Sequence, residues 1–242
     1  MDKPPSNYFS LFSRFLKSLS GICLTVISVF IFFSCSNTAP EISKVNAKVV
    51  YDFENEKDKP VQKLSLFLEM KSEVRRIEQI NVYHKDTGYR WVITNPAIFE
   101  TGSNQFAGYS NCQIAGFLND IPKGEYQVCY LDSQGRETYT QFEITKNENS
   151  ISNLSKLKQY LGLENVQVWL ACYDEDSKLL SYSNPDADFE INPASITYNG
   201  DKIFTKYKKA VYFRLMFEKD DKIYITPKVY KDSKTEEKVK KD

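Results

Sequence analysis

Apolar and polar residues alternate over much of the chain from residue 45 onward. Every second residue of segment 45–53 is apolar, and segment 64–70 repeats the pattern with three leucines and a methionine. A period of two residues is typical of a β-strand that buries one face. The pattern therefore predicts a mainly β fold. Turn-forming residues separate further short strands, which are predicted at 80–83, 89–93, 112–118, 126–131 and 139–144.

The second half of the chain continues the strand pattern but includes one short helix. Asn153 can cap a helix over residues 153–161, whose leucines form one apolar stripe. The pair Asn199-Gly200 predicts a hairpin turn, because both residues tolerate the positive φ angles of a two-residue loop. Strands are predicted at 166–173, 178–182, 196–198, 203–207, 211–217 and 223–229.

These segments divide the folded part of the chain into predicted modules. Residues 45–146 are predicted to form a β-sandwich, and residues 151–230 a second β-rich module that contains the short helix. A polar linker at 146–150 joins them, and residues 231–242 form a charged flexible tail. The fold class is therefore one or two antiparallel β-sandwich modules, and whether the two halves form one domain or two stays open.

One local signature is more specific than the alternation. The sequence from Ile121 reads Ile-Pro-x-Gly-x-Tyr-x-Val, and an Asp-x-x-Gly turn and a further strand follow. This order resembles the last three strands of bacterial immunoglobulin-like and fibronectin-III-like sandwiches, and the resemblance covers residues 45–145. It implies that Tyr126 occupies the tyrosine-corner position, where its hydroxyl bonds to the backbone, and that Val128 points into the core. Such a fold is silent on function.

The N-terminal segment reads as a secretory signal. Residues 21–33 are uncharged and mostly bulky and apolar, and Lys3, Arg14 and Lys17 precede them. A basic region, an apolar region and a small residue before a cleavage point are the three parts of a signal peptide. We therefore predict that residues 1–34 are a signal peptide.

The end of this segment, Phe32-Phe33-Ser34-Cys35, resembles the relaxed lipobox of spirochaete lipoproteins, although two phenylalanines replace the usual leucine and small residue. The resemblance implies cleavage before Cys35, lipid attachment to Cys35 and a tether over residues 35–44. The protein would then be anchored to a membrane of the cell envelope outside the cytoplasm, on a periplasmic face or the cell surface. Two alternatives stay open: a secreted form that is cut near Ala39, and an uncleaved anchor helix within residues 18–40.

The charge balance argues against a nucleic-acid partner. The whole chain has 32 basic and 32 acidic side chains. Removal of residues 1–34 takes three basic residues and one acidic residue, which leaves a net charge of −2. A near-neutral surface of mixed sign gives no field that would attract nucleic acid.

Few residues suggest chemistry. His84 is the only histidine and lies beside a predicted hairpin loop, where we expect it to be exposed. Catalytic triads and zinc sites mostly need histidine. The chain has no Cys-x-x-Cys pair, phosphate-binding loop or dinucleotide-binding glycine motif. The sequence therefore predicts no enzymatic activity, no catalytic residue, no metal and no cofactor.

Two sets of residues have alternative interpretations. We interpret the carboxylates near the turns at 174–190 as solvated turn residues rather than a calcium site; they are Asp174, Asp176, Asp186, Asp188 and Glu190. We interpret the three cysteines after the anchor as buried free thiols, and a disulfide between the first two is the open alternative; they are Cys112, Cys129 and Cys172.

The aromatic residues separate two hypotheses for function. Six of them could line a platform on which sugar rings stack, although packing within the sheets is the simpler interpretation; they are Tyr83, Tyr89, Trp91, Phe106, Tyr109 and Trp169. The first hypothesis is a non-enzymatic envelope lipoprotein with a structural role or a role in binding an envelope protein through loops or an exposed sheet edge. The alternative is a carbohydrate-binding or hydrolytic envelope protein.

Overall fold

The computed structural model describes residues 41–71, 76–114, 120–145, 151–161, 166–185 and 189–231. The predicted signal peptide, Cys35, the linker at 146–150 and all but the first residue of the charged tail lie outside the described residues. No helix in the described ranges is long and apolar enough to cross a membrane.

Eight strands come from the first half of the chain. They are β1 (Ile42–Asp52), β2 (Val61–Met70), β3 (Ile77–His84), β4 (Arg90–Ile93), β5 (Ala97–Thr101), β6 (Asn104–Gln113), β7 (Gly124–Asp132) and β8 (Glu137–Ile144). Strands β1, β2, β6 and β5 lie side by side in one sheet, and β4, β3, β7 and β8 form a second sheet. These are the A-B-E-D and C′-C-F-G strand orders of an immunoglobulin-like sandwich. The expectation of a mainly β, sandwich-like fold is confirmed.

The two sheets enclose a common hydrophobic core. Leu64, Leu66 and Leu68 are fully buried on one face of β2, as the alternation predicts. They belong to the same core as the buried residues Ile80 and Val82 of β3. Burial of each such side chain stabilises the fold by about 1.5–3 kcal/mol.

The second half of the chain extends the larger sheet instead of forming another pair of sheets within the described residues. Its elements are α1 (Leu154–Leu161), β9 (Gln167–Tyr173), β10 (Leu179–Ser183), α2 (Gly200–Lys206), β11 (Tyr212–Lys219), β12 (Lys222–Ile225) and β13 (Val229–Tyr230). The larger sheet has the order β10-β9-β11-β12-β1-β2-β6-β5, and β13 pairs with β11. One continuous sheet therefore contains strands from both sides of the predicted linker in the sequence.

The junction between the halves is parallel, which corrects the expectation of purely antiparallel sheets. β12 pairs in parallel with β1 from Val49 to Asp52. At this junction the rings of Tyr51 and Tyr224 are stacked with their centroids 5.0 Å apart, and both side chains are fully buried. The free edge of β1 thus accepts the β11–β12 hairpin because the two strands bury a shared aromatic contact. The pairing joins residues far apart in sequence, so local alternation could not predict it.

The first short helix is confirmed. Asn153 precedes α1, and its side-chain oxygen accepts a hydrogen bond of 3.0 Å from the backbone N–H of Lys156. This is the bond expected of a helix N-cap. Leu154, Leu157 and Leu161 are buried, so the apolar stripe faces the core.

The predicted hairpin at Asn199-Gly200 is wrong, because α2 begins at Gly200. The side chain of Asn199 accepts a hydrogen bond of 3.2 Å from the backbone N–H of Lys202, so Asn199 caps the helix. Ile203 and Phe204 are both buried. In a strand, Ile203 and Phe204 would point to opposite faces, and only one of them could be buried against the core. In a helix, both side chains can be buried on the side that faces the core. The described residues therefore contain two helices where the sequence predicted one.

Two strand boundaries also differ from the prediction. The sequence predicted a strand over 112–118, whereas β6 spans Asn104–Gln113. β6 also forms a hairpin with β5 that the sequence did not predict. All five residues of β5 are exposed, so they show no burial pattern. β1 begins at Ile42, and residues 42–44 of the predicted tether belong to the sheet.

Candidate functional site

His84 is the first candidate, and its expected exposure is wrong. It is 1% exposed at the end of β3, and its ring packs edge-on against Tyr126 with centroids 4.6 Å apart. Nε2 lies 2.7 Å from the carbonyl oxygen of Lys123, and because a carbonyl only accepts, Nε2 carries the proton. Nδ1 accepts from the hydroxyl and the backbone N–H of Thr87 at 2.9 Å and 3.1 Å. Nδ1 therefore closes the hairpin turn, and Nε2 ties this turn to the corner that precedes β7.

The tyrosine corner is confirmed next to this histidine. The hydroxyl of Tyr126 donates a hydrogen bond of 2.6 Å to the carbonyl of Pro122. Tyr126 and Val128 are fully buried, and burial raises the pKa of the Tyr126 hydroxyl. Gly124 allows the close approach of the corner to His84, since it has a φ of +122° and an added Cβ would lie 3.0 Å from Nε2.

The cysteines after the anchor are free thiols. Cys112 lies on β6 of the larger sheet and Cys129 on β7 of the smaller sheet, so the alternative of a disulfide between them is wrong. Burial raises the pKa of the Cys112 and Cys172 thiols to about 12. Because the thiolate is the nucleophile, neither thiol is reactive at neutral pH. Cys129 is half-buried, and burial raises its pKa as well.

The acidic residues at 174–190 do not form a common site in the described structure. Asp174 accepts a hydrogen bond of 2.8 Å from the backbone N–H of Lys178 and so closes its own turn. Glu190 pairs with Lys202 at 2.8 Å on the surface, and Asp186 and Asp188 lie outside the described residues. No group of three or more His, Cys, Asp or Glu side chains in the described ranges could hold a metal ion.

An ion-pair network that the sequence did not reveal lies on the outer face of the larger sheet. Asp52 of β1 accepts from Lys63 of β2 at 2.8 Å and from the guanidinium of Arg214 of β11. Burial alone would raise the pKa of Asp52. The hydrogen bonds and charges of Lys63 and Arg214 lower it by more than burial raises it, so the pKa lies below its usual value. Arg214 also donates to the carbonyls of Thr226 and Phe53 at 2.6 Å and 3.0 Å. The charged groups of this network are thus paired with one another, and they link β1, β2 and β11.

The six aromatic residues proposed as a platform lie on both sheets. Trp91 of β4 is buried, and its Nε1 donates 2.7 Å to the carbonyl of Gln113, so it links the two sheets. Tyr89 packs edge-on against Trp91. Tyr83 belongs to the smaller sheet, whereas Phe106, Tyr109 and Trp169 belong to the larger one, where Trp169 stacks on a tyrosine of the neighbouring strand.

The edges of the two sheets differ in charge. The larger sheet ends in β10 and β5, and the smaller sheet ends in β4 and β8. Natural edge strands are commonly protected from unwanted pairing by charged side chains. Strands β4, β5 and β8 contain Arg90, Glu100 and Glu137, respectively. β10, with the sequence Leu-Leu-Ser-Tyr-Ser, is the one strand of these four without a charged residue.

β10 is also apolar and exposed. Leu179, Leu180 and Tyr182 are 49%, 39% and 49% exposed. The ring of Tyr182 stacks on Trp169 at 5.1 Å and 6°, and the Nε1 group of Trp169 is buried without a hydrogen-bond partner among the described residues. A buried donor without a partner costs about 1–3 kcal/mol. The edge thus combines exposed apolar side chains with a buried, unsatisfied donor beneath them.

No protein-family model matches the sequence, and no curated protein matches it either.

Proposed function

We propose that this protein is a lipid-anchored lipoprotein of the cell envelope that acts without catalysis and binds a protein partner at β10. The partner would supply an extended segment that adds to the edge of the larger sheet. Main-chain hydrogen bonds would give the affinity of such strand addition, and side-chain contacts would give its specificity. The anchor rests on the segment order before Cys35, and the binding mode rests on the structure of β10.

The observation that carries the proposal is the uncharged, apolar edge at β10. No described strand pairs with its outer side. Leu179, Leu180 and Tyr182 offer apolar contacts beside the open backbone. Edge strands of this composition are liable to pair with other chains, so its exposure would be a hazard in a protein without a partner for it.

The proposal that the protein is not an enzyme rests on the use of its reactive groups. Both ring nitrogens of His84 hold the fold, Nδ1 within its own hairpin turn and Nε2 at the corner before β7. Burial raises the pKa of the Cys112 and Cys172 thiols to about 12. Asp52 is neutralised by two cations of the same sheet. The groups best suited to acid–base or nucleophilic chemistry thus serve the fold.

The experiment is site-specific photo-crosslinking in intact cells. A photoreactive phenylalanine analogue replaces Tyr182 on β10 or, as a matched control, Tyr139 on β8, which is 56% exposed. We expect a discrete protein adduct from position 182 and none from 139. Leu180→Lys, which places a charge on the same edge, should abolish the adduct and leave the melting temperature nearly unchanged.

Two results would contradict this binding mode. One is an adduct of equal yield from positions 182 and 139, and the other is an adduct from 182 that persists in Leu180→Lys. A melting shift of the purified protein with an envelope polysaccharide, lost when Trp169 is replaced by Ala, would instead favour the carbohydrate-binding alternative.

A further inference from the structure

One end of the larger sheet protrudes beyond the rest. β12 pairs with β1 only from Val49 onward, whereas β2 pairs with β1 back to Ile42. β6 and the β5–β6 hairpin follow β2 to the same level, since Met70 pairs with Gln105. Seven residues of strand correspond to about 23 Å. Four strands thus extend past the level at which the second half of the chain joins the sheet.

The outer face of this extension carries a cluster of three phenylalanines, Phe67, Phe99 and Phe106. The register places them together, because Phe99 pairs with Phe106 and Phe67 pairs with Gly108. The rings of Phe99 and Phe106 are stacked at 5.0 Å, and Phe67 meets Phe99 edge-on at 5.3 Å.

Gly108 makes room for this cluster. An added Cβ at Gly108 would overlap the backbone carbonyl oxygen of Leu66 and would lie 2.6 Å from both the Cα and a ring carbon of Phe67. Phe67 alternates with the fully buried Leu66 and Leu68, so it points away from the core. Phe99 is 43% exposed. Its neighbour Ile98 pairs with the core residue Ala107 and so lies on the opposite face of β5, where it is 44% exposed. The extension therefore presents apolar side chains to its surroundings.

The same end is where the chain enters the fold from its proposed anchor. Seven residue steps separate Cys35 from Ile42, which limits their separation to about 25 Å. Three strand spacings of about 4.8 Å, or roughly 14 Å, separate β1 from β5. The tether is therefore short enough to hold the phenylalanine cluster against the surface in which the lipid is inserted.

We infer that the phenylalanine cluster contacts the lipid bilayer to which Cys35 is attached. This inference rests on the lipid anchor of the proposed function. This end has no excess of positive charge, since Lys71 pairs with Glu41 and Lys48 with Glu218. Lys44 lies opposite Glu69 in the register, and Glu100 adds one negative charge. Apolar contact, and not attraction to anionic lipid, thus holds the extension at the membrane. Neutral phosphatidylcholine suffices for the contact.

The opposite edge of the same sheet provides a matched control. Tyr182 and Arg214 both pair with Ala171, so they lie at the same level of the sheet. Met216 and Asp52 both pair with Ile225, so they also share a level. Arg214 lies two residues beyond Met216 in the direction away from Ile42. Tyr182 therefore lies about 12 residues, or roughly 40 Å, from Ile42 along the strand direction. It is an aromatic residue on the same face and is 49% exposed, but it lies far from the anchor.

The test uses the full chain in cells that receive alkyne-palmitate. The photoreactive phenylalanine analogue is placed at position 99 or 182, and lipid adducts of the membrane fraction are measured by mass spectrometry. We expect several-fold more lipid adduct from 99 than from 182. In a second measurement, the purified lipidated protein is placed in brominated phosphatidylcholine vesicles, where Phe99→Trp should be quenched and Tyr182→Trp should not.

The outcomes separate this inference from the proposed function. If the protein carries palmitate but position 99 gives no more lipid adduct than 182 and Phe99→Trp is not quenched, the membrane contact is wrong and the anchor stands. An adduct of twice the chain mass from 99 would assign the cluster to self-association and would also overturn the inference. If the protein carries no palmitate, the anchor and this inference are both wrong.

Discussion

The hydroxyl of Tyr126 is the clearest case of one atom that supports the sandwich. It donates to the carbonyl of Pro122 within a buried corner. Tyr126→Phe keeps the ring and leaves that carbonyl without its partner, so we expect the free energy of unfolding to fall by about 1–3 kcal/mol in a urea titration. Tyr139→Phe is the matched control, because the Tyr139 hydroxyl is exposed beside Glu137. Equal changes in the two variants would show that the corner bond contributes nothing.

Gly124 is a position where both a positive φ angle and close neighbouring atoms disfavour any larger residue. Its φ is +122°, and an added Cβ would also lie 2.9 Å from Asp86 and 3.0 Å from His84. We expect Gly124→Ala to destabilise the protein by about 3 kcal/mol, the upper end for strained backbone positions. Gly135 has a φ of +76° with no atom within 4 Å of an added Cβ, so Gly135→Ala should cost only about 1 kcal/mol. A smaller loss at Gly124 than at Gly135 in chemical denaturation would refute the contact argument.

At the scale of elements, α2 depends on its N-cap. The side chain of Asn199 accepts from the backbone N–H of Lys202. Asn199→Ala should therefore lower the free energy of unfolding by about 1 kcal/mol, whereas Asn199→Ser should be nearly neutral, because serine caps helices as well as asparagine does. If Asn199→Ser were as damaging as Asn199→Ala, the side-chain bond would not explain the requirement for asparagine.

Asp52 joins β1 to β2 and β11, and its contribution depends on pH. Its pKa is lower in the folded protein than the ordinary value of 3.8. Its ion pairs therefore stabilise the fold when the pH is above 3.8. This stability is lost as the pH falls through the lower pKa that the carboxyl has in the folded protein. We expect Asp52→Asn to cost about 1.5–3 kcal/mol at pH 7, the range for hydrogen bonds to charged groups.

The pH dependence distinguishes charge from shape at this position. The difference between wild type and Asp52→Asn should shrink as the pH falls below about 4, where the Asp52 carboxyl of the unfolded state becomes protonated, and it should vanish below the lower pKa of the folded state. Glu125→Gln, which removes an exposed partner of Lys85, should leave the unfolding midpoint nearly unchanged. A penalty for Asp52→Asn that is constant from pH 7 to pH 2 would show that its charge is not the cause.

The elements that could be predicted from the sequence are those whose burial is local. β2 buries every second residue, and α1 buries residues three and four apart, so each shows its own period. β5 is exposed throughout and gives no period. The Asn199-Gly200 pair fits a hairpin and a helix N-cap equally well, and only the buried pair Ile203 and Phe204 decides between them.

Long-range contacts set the remaining features, and no local pattern contains them. Asp52 and Arg214 are separated by 162 residues, and the parallel pairing of β1 with β12 joins the two ends of the fold. The burial of His84 depends on the ring of Tyr126 from another strand. The sequence of β10 shows its lack of charge, but its place at an edge follows only from the order of the whole sheet.

At the scale of the whole molecule, we propose different surroundings for the two ends of the larger sheet. The extension that contains Ile42 and Phe99 would face the bilayer, and β10 would face a protein partner. The order of strands separates these edges by seven strand spacings, or about 34 Å. Under this proposal, partner binding would not compete with membrane contact.

The most direct test of the account is lipid attachment at Cys35. Cells that express the full chain are fed alkyne-palmitate, and labelling is compared between wild type, Cys35→Ala and Cys23→Ala, with mass spectrometry of the mature N-terminus. We predict that Cys35→Ala abolishes labelling and releases the protein from membranes, and that Cys23→Ala keeps both, since residue 23 lies in the removed signal segment. Undiminished labelling of Cys35→Ala, or a mature protein that still begins at Met1, would contradict the account.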